Sequence, residues 1–163
     1  MVLKRQGLAH LTPAWIPNSQ FNAIYLEDSF AAELEDQFAL QLLDVNWSTG
    51  GPEPAAKQIV IPPRARDWYD PEELAALTER KHGRSGVKCT DCGIWRWMPL
   101  LPDELPAITA PPDLDGLDIA ASPEWFGDGW NSYREVLVRR ELAEMLAERS
   151  PKDFSIGAAA RFR

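Results

Sequence analysis

The chain has 163 residues, of which 25 are acidic and 17 basic, giving a formal charge of −8. That length suits one ordinary domain, and 45% apolar residues are enough to build a buried core. The acid excess argues against a general nucleic-acid binder, which needs a basic face to displace counterions from phosphates. No apolar run of about 18 residues is present to cross a bilayer.

The opening stretch, MVLKRQGLAHLTPAWIP (1–17), has no continuous apolar leader core and no small-residue cleavage site, so the cytoplasm is the expected compartment. FNAIYLE (21–27) reads as a short strand, and DSFAAELEDQFALQLLD (28–44) as a helix. Asp28 or Ser29 is placed to cap that helix, and Phe30, Leu34, Phe38 and Leu42 recur every four residues on one face. NWSTGGPEPAAK (46–57) is a loop, with two glycines and two prolines to prevent regular structure. QIVIPP (58–63) is a short buried strand stopped by Pro62 and Pro63.

The cleanest helix start lies in DPEELAALTERKHG (70–83). Asp70 caps it, Pro71 takes the first helical position, Glu73 completes a capping-box spacing and Gly83 ends it. GIWRWMPL (93–100) alternates like a strand, with Ile94, Arg96 and Met98 on one face and Trp95 and Trp97 on the other. The stretch 99–131, rich in proline and aspartate, is expected to run as a long surface loop. Asn131 or Ser132 opens a last helix through about Arg149, with Val138, Leu142, Met145 and Leu146 facing the core. Glu135 with Arg139 and Arg140 with Glu144 then form exposed i,i+4 pairs. DFSIGAAARFR (153–163) looks like a final strand. These elements define a single α+β domain over 1–163, with about three helices, a mixed or mostly antiparallel sheet and long irregular loops at 44–57 and 99–131.

Both cysteines sit in one C-x-x-C-G turn, Cys89 to Gly93. Thiolates at that spacing supply two of the four ligands of a tetrahedral zinc. His82 is the candidate third, and His10 or Asp91 the fourth; no second C-x-x-C follows. A redox pair is disfavoured, because such pairs open a helix whose dipole lowers the first thiol's pKa, and this one leads into a strand. The plainer reading has two small, soft side chains packed beneath a tryptophan. No cofactor is therefore expected, with zinc as the alternative. G-x-S-x-G, a phosphate-binding Gly loop, G-x-G-x-x-G and H-E-x-x-H are all absent. Carboxylate pairs such as Glu72/Glu73, Asp103/Glu104 and Asp113/Asp115 arise readily among 25 acidic residues and are ordinarily solvated surface. Catalysis is not indicated.

Two pieces together resemble a known family. VKCTDCG (87–93), and VLVRRELAEML (136–146) followed by FSI (154–156), are similar to the double-CXXCG-motif immunity proteins, bacterial antidotes encoded beside secreted antibacterial toxins. The likeness covers about the last half of the chain and rests on short patterns; family members carry two C-x-x-C-G motifs where this chain has one. The resemblance implies a small, acidic, non-catalytic protein that binds a cognate toxin and neutralises it by occlusion. Acidic character would speed capture of a basic toxin, and exposed aromatics would slow its release. The expected contact surface comprises Asp103, Glu104, Asp113, Asp115 and Asp118, then Glu124, Trp125, Phe126, Asp128 and Trp130. The partner is then a basic protein, neither nucleic acid nor membrane, and self-association into a homo-oligomer stays open. The competing reading is a small zinc-assisted adaptor docking on a larger protein machine.

Overall fold

In the computed structural model, residues 2–3, 12–17, 23–47, 55–109, 116–127 and 132–156 are described. Among these residues, three helices and mixed, mostly antiparallel sheets make the architecture α+β. The chain divides into two compact units: Met1–Ile61, Gly116–Ile119 and Val138–Ile156 form the first, and Pro62–Asp115, Ala120–Leu137 and Gly157–Arg163 the second.

The first unit is organised by a strand buried along nearly its whole length. β3 (Ile24–Glu27) alternates Ile24 and Leu26 with Tyr25, and all three are buried. It pairs antiparallel with β2 (Ala14–Trp15) on one side and β6 (Ala56–Ile59) on the other, where Ile24 lies opposite Ile59. β4 (Leu42–Asp44) closes the sheet against β6, giving the order β2-β3-β6-β4. β1 (Val2–Leu3) pairs in parallel with β5 (Asn46–Trp47). α1 (Asp28–Glu35) buries Phe30, Ala31 and Leu34, and α3 (Arg140–Arg149) buries Leu142 and Leu146. The two helices are tied by Arg149, whose guanidinium pairs with Glu33 at 2.7 Å.

Asp118 and Ser150 anchor this unit from below the surface. The Asp118 carboxylate accepts from the Ala39 amide at 2.7 Å and from the Arg139 guanidinium at 3.2 Å. The buried Ser150 hydroxyl accepts from the Ala14 amide at 2.8 Å. Each satisfies a backbone donor that would be costly to bury alone.

In the second unit, α2 (Pro71–His82) begins as its sequence dictates. Asp70 accepts from the amides of Glu72 and Glu73 at 2.9 and 3.0 Å, Pro71 occupies the first turn, and Gly83 ends the helix at φ 73°. The sheet has the order β10-β8-β7, with β7 (Gly86–Lys88) antiparallel to β8 (Trp95–Trp97) and β10 (Trp125–Phe126) parallel to it. Gly86 is required here: a Cβ would lie 2.2 Å from the Arg96 carbonyl oxygen, at a φ of 152°. The core gathers Trp68, Tyr69, Leu74, Trp97, Leu100, Ile108 and Phe126. Phe126 stacks on Tyr133 with centroids 5.7 Å apart, and the Tyr133 hydroxyl donates to the Leu100 carbonyl at 2.7 Å.

Several sequence expectations are corrected by the backbone. The first helix stops at Glu35 instead of running to Asp44, because Leu42–Asp44 supplies a ladder to β6 and pairing overrides helical periodicity. Phe38 stays buried, with its amide bonded to the Leu34 carbonyl. That helix has Glu27 as its N-cap with no side-chain cap, so neither Asp28 nor Ser29 caps it. The strand expected at 58–63 runs over Ala56–Ile59, starting two residues and ending four residues earlier. Together with β5 it takes up both ends of the stretch 46–57 expected as a loop.

The stretch 99–131 contains β9 (Ile119–Ala121) and β10, both largely buried. β9 pairs with β11 (Val136–Val138), and the last helix accordingly begins at Arg140 and not at Asn131 or Ser132. Val136 and Val138 are β-branched and fit a pleated strand better than a helix turn. Arg139 thus pairs with Asp118 and Glu141 in place of Glu135, while Arg140 and Glu144 do form their i,i+4 pair at 3.8 Å. Residues 154–156 are not in a strand, and the remainder of the expected final strand lies outside the described residues.

Candidate functional site

The C-x-x-C-G segment is the turn of the β7–β8 hairpin. The Cys89 amide donates to the Ile94 carbonyl at 2.9 Å, and the Gly93 amide to the Cys89 carbonyl at 3.0 Å. Gly93 closes the turn at φ 70°, a conformation that favours glycine. The Cys89 thiol is held below its ordinary pKa by the backbone N–H groups of Cys92 and Asp91, then by the Cys92 thiol, with Arg96 adding a smaller pull. Neither cysteine is packed beneath a tryptophan: Cys92 is exposed and Cys89 partly so.

Asp91 lies within this turn, and His82, the expected third ligand, is engaged elsewhere. The His82 ring engages the Pro99 carbonyl through Nε2 at 2.8 Å, at the end of α2. Among the described residues, no three His, Cys, Asp or Glu side chains are grouped to hold a metal ion. His10 lies outside the described residues. The turn alone offers two thiols, half of a tetrahedral zinc shell.

The residues expected to meet a partner are dispersed in role. Asp118 is buried as the anchor described above, and Phe126 is fully buried in its core. Glu104 is tied to Lys81 and accepts from the Leu101 amide at 2.6 Å, whereas Asp103 is exposed. Trp125 is half-buried under the Arg134 guanidinium, 4.3 Å from its ring centroid. Asp113, Asp115, Asp128 and Trp130 lie outside the described residues.

A cleft of about 600 Å³ opens in the second unit beside the hairpin. α2 contributes Pro71, Leu74 and Ala75 to its wall, and the hairpin contributes Ile94, Trp95 and Trp97. The alternation of β8 puts both indoles on one face, with centroids 5.2 Å apart. Trp97 is buried, but Trp95 is 36% and Ile94 44% exposed. On the neighbouring edge strand Val87, opposite Arg96 in the register, does not line this cleft and is 60% exposed. Asp67 and Lys88 stand among the lining residues as solvent-exposed charges.

Glu124 closes the set. It lines the cleft yet is 7% exposed overall. One carboxylate oxygen accepts from the amides of Trp68 and Tyr69 at 2.6 and 3.1 Å, fixing the turn that leads into α2. The other, Oε2, has no hydrogen-bond partner among the described residues. Burial pushes its carboxyl above the usual carboxylate range, Asp67 reinforces that shift, and the two amides oppose it. Tyr69 is shifted upward as well, first by burial and then by Glu135 and Glu124.

Sequence reading included Glu124 in the expected surface and did not single out Ile94, Trp95 or Asp67. Strand alternation in GIWRWMPL gave the shared face of Trp95 and Trp97, but not which indole faces solvent, since that depends on what α2 covers. Among the described residues no helix is long and apolar enough to cross a membrane. No family model matches the chain, and no curated protein or solved structure matches it.

Proposed function

We propose that this chain is an immunity-type protein: a non-catalytic, cytoplasmic binder that neutralises a cognate, basic toxin by covering it. The reading is supported above all by the cleft beside the hairpin, where Ile94 and Trp95 leave apolar surface in water. A single exposed apolar residue needs no explanation; an exposed aromatic and an exposed aliphatic side by side on one concave site are what a binding hot spot uses. A formal charge of −8 gives the steering field for a basic partner. The C-x-x-C-G turn then serves as the scaffold that holds Ile94 and Trp95 in place, since its glycine and paired amides fix the hairpin's end.

The test is co-expression with the product of the adjacent gene. Growth arrest by that product, relieved by this chain and not by its Trp95→Ala variant, is the expected result. A neighbouring product that causes no growth defect, or a defect this chain leaves unrelieved, removes the reading.

A further inference from the structure

We propose that the cleft of the second unit is an arginine receptor: it takes a guanidinium side chain from the basic partner, stacked on Trp95 and drawn by the carboxylates of Asp67 and Glu124. This rests on the partner-covering reading above and names the chemistry at its centre. The wall is aromatic and aliphatic, as the methylene stem and flat face of arginine need, with Trp95 offering an accessible indole face. Two carboxylates against one ammonium, that of Lys88, leave the lining with a net negative charge when all three are ionised.

Glu124 adds charge behind the wall. Oε1 is occupied by two amides, so the group is held in one orientation, and Oε2 is buried without a donor among the described residues. A carboxylate shielded from water in this way acts, when ionised, on a cation in the cleft through its field and not through direct contact. The protein's own nearby guanidinium, Arg134, lies within the field of Glu124, donates to the Ser122 carbonyl at 2.9 Å and lies over Trp125. Arginine is favoured over lysine because a planar fork both stacks on indole and directs several donors along its edge, whereas an ammonium is a compact, strongly hydrated point charge.

The probe is N-acetyl-arginine methylamide, titrated into the full chain while the indole N–H resonances of Trp95 and Trp97 are followed by NMR. Saturable shifts are expected, with a dissociation constant on the order of millimolar for so small a ligand. The uncharged isostere, blocked citrulline, should leave both resonances in place, and blocked lysine should bind several-fold more weakly than arginine. Trp95→Ala should weaken arginine binding about tenfold, followed by the remaining Trp97 resonance. Asp67→Asn should weaken it less, with the thermal midpoint of each variant confirming that it is folded. Absence of saturation by blocked arginine, equal binding of citrulline, or unchanged affinity in a folded Trp95→Ala variant overturns the proposal. The two readings fail separately: capture of the neighbouring gene product by wild type and Trp95→Ala alike discards the arginine receptor and keeps the partner, whereas specific arginine binding without that capture keeps the receptor and discards the toxin.

Discussion

Replacing Glu124 by alanine removes the acceptor of two buried backbone donors, and the structure sets the scale of the loss. Oε1 takes the amides of Trp68 and Tyr69 at 2.6 and 3.1 Å, and both residues are buried in the core of the second unit. An orphaned buried amide costs about 1–3 kcal/mol. The carboxylate's own burial penalty, relieved by the deletion, offsets part of that. The expected net loss is about 2–4 kcal/mol, or roughly 5–15 °C in melting temperature for a chain of this size.

Glu124→Gln is the control, because its amide oxygen accepts both donors without bringing charge; it should remain within about 1 kcal/mol of wild type at pH 7. The pH dependence gives an independent sign. The folded-state pKa of Glu124 lies above its unfolded value, so between the two the native state holds more protons and stability falls as pH rises. Burial raises Glu135 in the same direction. Wild type should therefore lose stability as pH rises above the ordinary carboxylate range, and Glu124→Gln should lose less over the same interval. Urea unfolding across that interval measures both effects. A Glu124→Ala variant within 1 kcal/mol of wild type, or a glutamine variant falling as far as the alanine one, refutes the reasoning.

Further outcomes are set by other contacts. Asp118→Ala should destabilise by about 2–4 kcal/mol in urea unfolding, since it strands the Ala39 amide and frees Arg139; a loss under 0.5 kcal/mol, on the order of an exposed pair, would deny Asp118 its anchoring role. Asp70→Ala removes the cap of α2 and should cost about 1 kcal/mol by the same assay. Gly86→Ala drives a Cβ against the Arg96 carbonyl and should lower stability by about 3 kcal/mol or more, whereas Gly83→Ala, left-handed but facing open space, should cost about 1. Iodoacetamide should modify Cys89 with a rate that reaches half its plateau at a pH below that of an ordinary thiol, because backbone N–H groups favour its thiolate. A midpoint at or above the ordinary thiol value contradicts that geometry.

Local chemistry was legible where a few adjacent residues decide the outcome. Asp70, Pro71 and Gly83 specify α2 through capping and backbone conformation, and the structure follows them at both ends. The alternation in GIWRWMPL likewise places Trp95 and Trp97 together. Sequence reading failed where distant pairing decides. Leu42 continues a helical stripe in sequence, yet its backbone serves β6, and Val136 to Val138 leave the expected helix to pair with β9. The same limit hid the cleft. Asp67, Trp95 and Glu124 are separated by 28 and 29 positions along the chain (95 − 67 and 124 − 95), and only packing of α2 and the hairpin brings them together. Periodicity measures which residues share a face, not which faces remain uncovered.

The central claim, that the hairpin cleft is where a partner is covered, is tested most directly by hydrogen exchange on the complex with the adjacent gene's product. Slowed exchange is expected in the hairpin, 86–97, and in the segment 67–75 that carries Asp67 and the start of α2. Protection confined to the first unit, or an exchange pattern identical with and without that product, contradicts it.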